Sequence, residues 1–545
     1  MAALYGEGDL RRFDRGVERT LKIVNRRYGE LFAEDEPLSS SFGSLVFTGV
    51  EDDPETIATL ARMGFSNPAQ VAATIRAWHH GRIGATRTER GRELFTRLAP
   101  RLLEALRATG APDAAFNRFV SFFSGLSSGV QVQSLFLAQP SLFELIVGVM
   151  AFAPQLAATL ARNPAVLDAL FDPSFFAPLD EADAGAIEAA AAGADGFESA
   201  MDAVRRVHRE QSFRVGAQII SGAATAREAG EAFASLADAS IRGLAPAALA
   251  EAERLGGAFP GEAAVVALGK CGSREMTARS DLDLMTVYDP AGAMSVSAVK
   301  GWSAETFYAR FTQRLVAALS APTAEGGLYQ VDLQLRPSGT AGPVAVSLRA
   351  LETYYQGAAE TWEYLALTRA RVVWASSPAF AHAVAAAIEA ALRQPRDPRT
   401  TAEDVWEMRA LMERERPPSG FWDLKLSPGG LVDIEFAAQH LQIVHAADGG
   451  PLRANTAEAL AAIGEAELGP PVTLIALQDA WTLQQDLSQL LKVALEDDAD
   501  PAAEPQAFRR MLARAGGARD FRTLQARLTA RRAAARKAFV ATLKF

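Results

Sequence analysis

Apolar residues recur at helical spacing along most of this chain. From Asp14 to about Leu170 the sequence is typical of consecutive amphipathic helices. One of these helices is expected to end at Gly110, and its leucines recur three and four positions apart: Leu94, Leu98, Leu102, Leu103 and Leu106. Alanine-rich helical sequence runs from about Gly185 to Leu255, and helices are predicted again from about Leu348 to the C-terminus. The pattern therefore predicts a mostly α protein.

A different pattern lies between Gly261 and Gly339. The segment GEAAVVALGK is a short run rich in Val and Ala that ends in glycine, which is typical of a buried strand and a tight turn. Two later segments, DLDLMTVYDP and GGLYQVDLQLRPSG, alternate polar and apolar residues as strands do. Helical sequence, GWSAETFYARFTQRLVAALS, separates them. We therefore predict a small α/β core at about residues 258–345, inserted in helical surroundings.

The length of 545 residues exceeds what one core usually organises, so several domains are expected. A stretch with Pro and Asp, about Asp172 to Ala184, is a reasonable boundary. We predict a helical linker or regulatory region at 1–175, a domain with a helical lead-in and the α/β core at 176–395, and a C-terminal helical bundle domain at 396–545.

Composition narrows the class of protein. Hydrophobic residues make up 49% of the chain and charged residues 22%, as in globular proteins, and no apolar run approaches the roughly 20 residues that span a bilayer. The opening MAALYGEGDLRRFDRG lacks a basic end followed by an apolar stretch, so no secretory signal is predicted. We expect a cytoplasmic protein that does not associate with a membrane.

Charge and cysteine content exclude further classes. The net charge is −10 and the pI is about 5.4, whereas proteins that bind nucleic acid generally are basic. We therefore expect no nucleic-acid partner. Cys271 is the single cysteine, which rules out an intrachain disulfide and a cysteine-rich zinc site. Its expected role is that of a small buried apolar residue.

Two aspartates at the start of a predicted strand are the strongest chemical signal. Asp281 and Asp283 project from one face, roughly 6.6 Å apart along the strand, while Leu282 and Leu284 face the core. Paired carboxylates suit Mg²⁺, which fills its other positions with water and substrate phosphates. Asp332, on the later strand QVDLQLR, is expected to complete the metal site if the two strands pair. Two such ions can activate an attacking oxygen and stabilise a leaving one.

The turn after the first strand is a candidate phosphate-binding element. Gly272 and Ser273 would let backbone N–H groups approach phosphate oxygens. Lys270, Arg274 and Arg336 could balance the charge of a triphosphate, although each could equally be a solvated or structural charge. Asp-x-Asp alone is weak evidence, because Asp498 and Asp500 repeat the spacing in a polar loop. The prediction of a metal and phosphate site therefore rests on the strand, the turn and the paired carboxylates occurring together.

This combination resembles the nucleotidyltransferase superfamily that includes DNA polymerase beta. The segments GKCGSREMTARSDLDLMTVYD, VDLQLRPSGTAGPVAVSLRALETYY, TWEYLALTRARVV and SPGGLVDIEFAAQHLQ together resemble the glutamine synthetase adenylyltransferase family. The resemblance implies a polymerase-beta-like core and transfer of AMP from ATP to a tyrosine of glutamine synthetase, with release of pyrophosphate. It also implies Mg²⁺ at Asp281, Asp283 and Asp332, ATP phosphates at Gly272 and Ser273, and regulation by glutamine and the PII signalling protein.

Family members carry two related catalytic units, one that removes AMP and one that attaches it, and a single unit is visible here. The Arg336 to Gly339 turn and Trp362 resemble the C-terminal, AMP-attaching copy. An AMP-removing copy, a relative that uridylylates PII and a non-catalytic regulatory scaffold remain alternatives. The sequence also does not separate a proton-accepting role of Asp332 from metal binding.

Two pairs of charged residues further along the chain have open roles. Arg369 and Arg371 could contact nucleotide or a regulator, but exposed helix charges are the default interpretation. Asp433 and Glu435 begin a predicted helix, where carboxylates are favoured by the helix dipole. A functional role for that second pair is about equally well supported.

Overall fold

The structure is a computed structural model that describes residues 39–40, 43–47, 52–164, 166–167, 173–292, 294–497 and 499–544. The chain divides into two compact units, residues 1–167 and 168–545. The run of helices predicted from Asp14 and the boundary predicted at about Asp172 to Ala184 both begin outside the described residues. The domain limits near 175 and 395 stay predictions.

The described residues of the first unit form helices and one short antiparallel pair, β1 (Ser39–Ser40) and β2 (Gly43–Ser44). Its helices are α1 (Pro54–Arg62), α2 (Pro68–His79), α3 (Glu89–Ala108), α4 (Pro112–Gly125), α5 (Val130–Ala138), α6 (Pro140–Phe152) and α7 (Pro154–Arg162). The predicted leucine stripe lies on α3, where all five leucines are buried. Gly110, after the end of α3, has the positive φ of 82° that favours glycine. The helical prediction is confirmed for this part of the chain.

The second unit opens with three helices that lead into a sheet. They are α8 (Glu181–Ala192), α9 (Phe197–Ser221) and α10 (Ala226–Gly256). Thr225 caps α10 by accepting a hydrogen bond from the N–H of Glu228, whose carboxylate in turn accepts from the N–H of Thr225. Helix α10 packs against α8, α9 and the later helix α12 (Ala304–Ser320). Of these four helices, α10 and α12 also contact the sheet.

The sheet is small and mixed. Its strands are β3 (Glu262–Ala267), β4 (Leu282–Asp289), β5 (Val331–Asp332), β6 (Ala345–Ser347) and β7 (Arg371–Ala375), and a short helix α11 (Gly269–Ser273) follows β3. Strand β3 runs antiparallel to both β4 and β7. The other edge of β4 pairs in parallel with β5 near its start and with β6 near its end. Helices α13 (Leu348–Tyr355) and α14 (Thr361–Leu367) lie between β6 and β7 in sequence, and α15 (Pro378–Leu392) follows β7.

Two strand assignments from the sequence need correction. The alternating segment that ends at Gly339 forms only the two-residue β5, because the Asp332 carboxylate accepts a hydrogen bond from the N–H of Gln334 at 2.7 Å and the chain turns there. Strand β7 was wrongly predicted to be helical. Its Val372 and Val373 extend the sheet beside β3, which only the tertiary pairing determines.

The C-terminal part forms a helical bundle, as predicted. Its helices are α16 (Pro398–Glu415), α17 (Leu431–His445), α18 (Thr456–Glu465), α19 (Pro471–Ala494), α20 (Gln506–Ala515) and α21 (Phe521–Thr542). Helix α19 pairs closely with α21 and also packs against the lead-in helices α9 and α10. Among the described residues no single helix is long and apolar enough to cross a membrane; one bent pair, 130–138 with 140–152, meets the length and composition criteria only when both helices are taken together.

Candidate active site

The three predicted carboxylates come together at the start of β4. Asp283 lies directly opposite Asp332 in the parallel pairing of β4 with β5, and paired strands are about 4.8 Å apart. Asp281 precedes β4 and is exposed. Leu282 and Leu284, 0% and 2% exposed, anchor the strand in the core as predicted. The alternation therefore places Asp283 on the face of β4 opposite these two leucines.

Asp283 is the most strongly perturbed of these carboxylates. Its pKa is raised to about 6, chiefly by burial and in addition by the negative charges of Asp281 and Asp332. Lys425 and Arg369 are near enough for their positive charges to act in the opposite direction. An acidic cluster of this kind gains free energy from a bound cation, because ionisation of Asp283 is otherwise opposed by its surroundings.

Two glycines on the turn after β3 allow the close approach of backbone and carboxylate. Gly269 has φ +53°, and a Cβ there would overlap Oδ2 of Asp283. A Cβ at Gly272 would overlap the carbonyl oxygen of Arg369 and lie 2.7 Å from that of Ala267. Glycine is thus required at 269 beside the acidic cluster and at 272 where α11 packs against the chain entering β7.

The predicted phosphate-binding turn is held mainly by its own contacts. The N–H of Gly272 donates to the carbonyl of Leu268 at 2.8 Å, within α11. Ser273 is buried, and its hydroxyl lies 3.4 Å from the carbonyl oxygen of Lys270. The proposed contacts of Gly272 and Ser273 with phosphate therefore stay predictions.

The predicted cations have different surroundings. Arg274, in the left-handed conformation with φ 59°, pairs with Asp238 of α10 at 3.1 Å and donates to Ser235 Oγ at 2.7 Å. Arg336 is buried and donates to the carbonyls of Leu333, Gly342 and Pro343 at 2.6 to 3.1 Å. Both guanidinium groups thus brace turns. Lys270 is half-buried and remains the best placed of the three to meet an anion.

Lys270 lies within a group of cations that the sequence did not connect. Burial lowers the pKa of its ammonium group, and the carboxylate of Glu435 acts in the opposite direction. Positive charges on Lys425, Lys492 and Arg369 lower that pKa further. Lys425 precedes α17 and Lys492 lies on α19, so the bundle contributes part of this charge. No motif near Lys425 or Lys492 signals this proximity, because it arises from packing between distant segments.

Arg369 and Arg371 are not exposed helix charges, which corrects the default interpretation. Arg371 lies on β7, pairs with Asp238 at 2.8 Å and donates to the carbonyl of Cys271 at 3.0 Å. Arg369 lies between α14 and β7, is 7% exposed and pairs with Glu435 at 2.8 Å. The two arginines therefore hold α11 and the bundle against the sheet.

The segment that leads from α11 to Asp281 is bonded to the bundle along its length. Asn455 donates to the carbonyl of Ser273 at 3.2 Å, and Gln489 donates to that of Met276 at 2.8 Å. Thr456 donates its N–H to the Glu275 carboxylate at 2.7 Å and its hydroxyl at 3.0 Å. Burial raises the pKa of Glu275 to about 7. Nearer the cluster, Arg279 donates to the carbonyl of Leu495 and pairs with Glu496 and Asp497.

The predicted helix start at Asp433 and Glu435 is present as α17, but capping is not the main role of these carboxylates. Asp433 is fully buried, pairs with Arg409 at 2.5 Å and with Arg536 at 3.0 Å, and accepts from the N–H of Gly429 at 2.6 Å. Glu435 turns instead toward Arg369. Asp433 thus links segments within the bundle, and Glu435 links the bundle to Arg369, just before β7.

The donor set at β4 and β5 fits a magnesium ion that arrives with a nucleotide. Within the described ranges, no group of three or more His, Cys, Asp or Glu side chains is gathered closely enough to hold a metal ion alone. Mg²⁺ rarely needs such a cage, since one or two carboxylates with waters and phosphates complete its octahedral shell. Burial and the neighbouring negative charges raise the pKa of Asp283, and a bound cation would stabilise its ionised form.

Comparison with known proteins gives two family-model matches and close relatives. The model for glutamate-ammonia ligase adenylyltransferase matches residues 143–386, and that for PII-uridylyltransferase matches residues 407–540. A bifunctional glutamine synthetase adenylyltransferase/adenylyl-removing enzyme of Caulobacter vibrioides is 67% identical over all of this chain and 55% of the relative. The enzyme of the same name from Rhizobium meliloti is 40% identical over 99% of this chain and 55% of the relative.

The chain spans about half the length of these curated relatives. The match nevertheless extends over essentially every residue of this chain, the sheet and the bundle included. Over the length that it spans, the chain belongs to the glutamine synthetase adenylyltransferase family.

Proposed function

We propose that this chain transfers AMP from ATP to a tyrosine of glutamine synthetase and releases pyrophosphate. The observation that carries the proposal is the register of Asp283 with Asp332, with Asp281 just before β4, in a chain so similar to enzymes named for this activity. The sheet with its parallel β4 and β5 is, on this proposal, a polymerase-beta-like nucleotidyltransferase core. Cytoplasmic location is part of the same proposal.

The chain's own residues divide the work of the reaction. Asp281, Asp283 and Asp332 would hold Mg²⁺, which when bound stabilises negative charge on the phosphoryl oxygens. The tyrosine oxygen attacks the α-phosphorus, the bond to the pyrophosphate oxygen breaks, and the tyrosine proton passes to a base, either Asp332 or water. One Asp332 oxygen is occupied by the N–H of Gln334, so the other is available for metal or proton. Positioning and charge stabilisation supply most of the rate in such transfers.

The direction of the activity is the second part of the proposal. The relatives' name covers both attachment and removal of AMP, and this chain spans about half of their length. We assign attachment, on the resemblance of the Arg336 to Gly339 turn and Trp362 to the AMP-attaching copy. Removal of AMP is the alternative that the same name supports. PII protein and glutamine are proposed regulators, and the bundle's likeness to PII-uridylyltransferase is compatible with this.

The test is a direct transfer assay. The purified chain is incubated with glutamine synthetase, Mg²⁺ and α-labelled ATP, and label on a glutamine synthetase tyrosine is located by peptide mapping. Asp281→Asn should abolish transfer, and Asp289→Asn, which changes an exposed aspartate at the far end of β4, should not. Absence of label with the wild-type chain, or equal label with Asp281→Asn, refutes the proposal.

A parallel reaction decides the direction. AMP-modified glutamine synthetase is incubated with the chain and inorganic phosphate, and loss of AMP is measured. Attachment without removal supports the assignment made here. Removal without attachment would transfer the assignment to the alternative activity.

A further inference from the structure

The guanidinium group of Arg369 is nine-tenths buried and incompletely paired. Its Nη2 lies 2.8 Å from Glu435 Oε1, 3.4 Å from Thr456 Oγ1 and 3.8 Å from Glu275 Oε2. Its Nε is buried, and none of the described residues accepts a hydrogen bond from it. A buried donor without a partner costs free energy, so such a donor points to a missing acceptor.

Arg369 lies among charged groups of both signs. Glu435 is its close partner, whereas Glu275, whose pKa burial raises to about 7, is only partly ionised at neutral pH. Lys425 and Lys492 of the bundle place positive charge within electrostatic range of Lys270, although Lys492 also pairs with Asp497 at 2.7 Å. Positive charge from separate segments is therefore gathered beside the acidic cluster, where a bound anion would meet it.

The position of Arg369 connects this charge to the acidic cluster. Its carbonyl packs on Gly272 of α11, and its charge is close enough to Asp283 to affect the ionisation of that carboxylate. A nucleotide whose α-phosphate lies at the aspartates must place its β- and γ-phosphates nearby. Those two phosphates become the leaving group, and cations that meet them stabilise the charge that develops there.

We propose that Arg369 binds the β- and γ-phosphates of the nucleotide, with Glu435 holding one edge of its guanidinium group and Nε donating to a phosphate oxygen. The inference rests on the proposed function, because it takes a nucleoside triphosphate as the substrate. Arg369 is on this account a substrate-binding residue, and Glu435, which acts through it, is a positioning residue. Together they make the bundle part of the active site.

The experiment compares nucleotides that differ only in the phosphates concerned. Binding of ATP, pyrophosphate and AMP to the full chain is measured by calorimetry with Mg²⁺ and without glutamine synthetase. Arg369→Met should weaken ATP and pyrophosphate binding about 10- to 100-fold, the range of a hydrogen bond between charged groups, and change AMP binding less than about twofold. Arg399→Met, which changes an 84% exposed arginine of α16, should leave all three unchanged.

A second variant protects the test against loss of folding. Arg369→Lys keeps the charge and removes Nε, and should weaken ATP several-fold with AMP unaffected. Equal weakening of ATP and AMP in either variant means that Arg369 is only structural and overturns the inference, as does unchanged ATP binding. If the wild-type chain binds ATP and the variants bind it equally well, this inference alone fails. If the wild-type chain binds no ATP, the proposed function fails with it.

Discussion

The two sides of the candidate site are built in opposite ways. On the sheet side, the three carboxylates lie on or beside paired strands: Asp281 just before β4, Asp283 on β4 and Asp332 opposite it on β5. On the bundle side, Lys425, Lys492 and Glu435 come from separate segments whose side chains meet only after the helices pack. The acidic residues of this site are thus positioned by the strands that carry them, whereas the basic residues are brought together by the packing of distant segments.

The segment between α11 and Asp281 joins the two sides. Its hydrogen bonds to Asn455, Thr456 and Gln489, and the contacts of Arg279 with residues 495–497, all run to the bundle. Displacement of the bundle would therefore move the chain that carries the acidic cluster. We expect the bundle to affect the chemistry of the sheet side, and the following experiments measure how far the two sides can be separated.

The largest expected effect comes from Asp283→Asn on the sheet side. Loss of a proposed metal ligand should lower AMP transfer by about a thousandfold or more, since metal charge stabilisation is worth several kcal/mol. Burial raises the pKa of Asp283 to about 6, above its value in an unfolded chain, so its ionised form destabilises the folded state at pH 8. The variant should therefore be more stable to urea than the wild type by about 1 to 3 kcal/mol in the presence of a chelator.

A variant with lower stability and intact transfer would contradict both parts of that expectation. Asp289→Asn, at the exposed end of the same strand, is the control for the removal of one negative charge.

A glycine pair tests the close approach at the turn. Gly269→Ala and Gly301→Ala both put alanine at a positive φ, +53° and +62°, which costs roughly 1 kcal/mol of stability in each case. Only Gly269 faces the Asp283 carboxylate, since an added Cβ at Gly301 meets nothing within 4 Å. We expect Gly269→Ala to lower kcat about a hundredfold and Gly301→Ala to retain wild-type activity. Equal activity of the two variants would mean that Asp283 tolerates displacement.

The sequence predicted the sheet side better than the bundle side for a physical reason. Alternation put Asp283 on the side of its strand opposite Leu282 and Leu284, as in the structure, because side-chain direction along a strand is set by backbone geometry. Asp281 lies just before β4, and the metal-binding role of the aspartates stays a prediction. It did not reveal that β5 stops at Asp332, where the carboxylate bonds to the next turn. Arg369 and Glu435 form an ion pair although they are far apart in the chain. The sequence alone does not show which distant residues become neighbours in the folded protein. Arg336 was expected at phosphate, yet its donors are taken by carbonyls of its own turn.

A smaller effect is expected from Glu275→Gln at the junction of the two sides. Burial raises the pKa of Glu275 from 4.5 to about 7, so between these values the folded chain keeps a proton that the unfolded chain has lost. The free energy of unfolding must then fall as pH rises through this window, by at most about 1.4 kcal/mol per pH unit. Between pH 5 and 7 we expect the wild type to lose about 1 to 3 kcal/mol relative to the variant, measured by urea unfolding.

The control for this pH dependence is Glu403→Gln, which removes one exposed carboxylate from α16 and should leave the wild-type slope unchanged. A slope shared by Glu275→Gln and the wild type would show that Glu275 ionises normally. In that case the contact of Thr456 with Glu275 would be an ordinary charge-assisted hydrogen bond, and the junction would carry no pH sensitivity of its own.

The smallest effect is the slow reaction of Cys271, which tests whether the sheet side opens independently of the bundle. Burial, with the negative charge of Asp238, raises the pKa of this thiol to about 12, so only about one molecule in ten thousand is ionised at pH 8. Cys271 is the single cysteine of the chain and lies on α11, next to the segment that is bonded to the bundle. Because that segment holds α11 in place, we expect labelling by a disulfide reagent to proceed at the rate of global unfolding, with the same dependence on urea. Labelling that is faster and independent of urea would mean that α11 opens while the bundle stays folded, and the two sides of the site would then be separable.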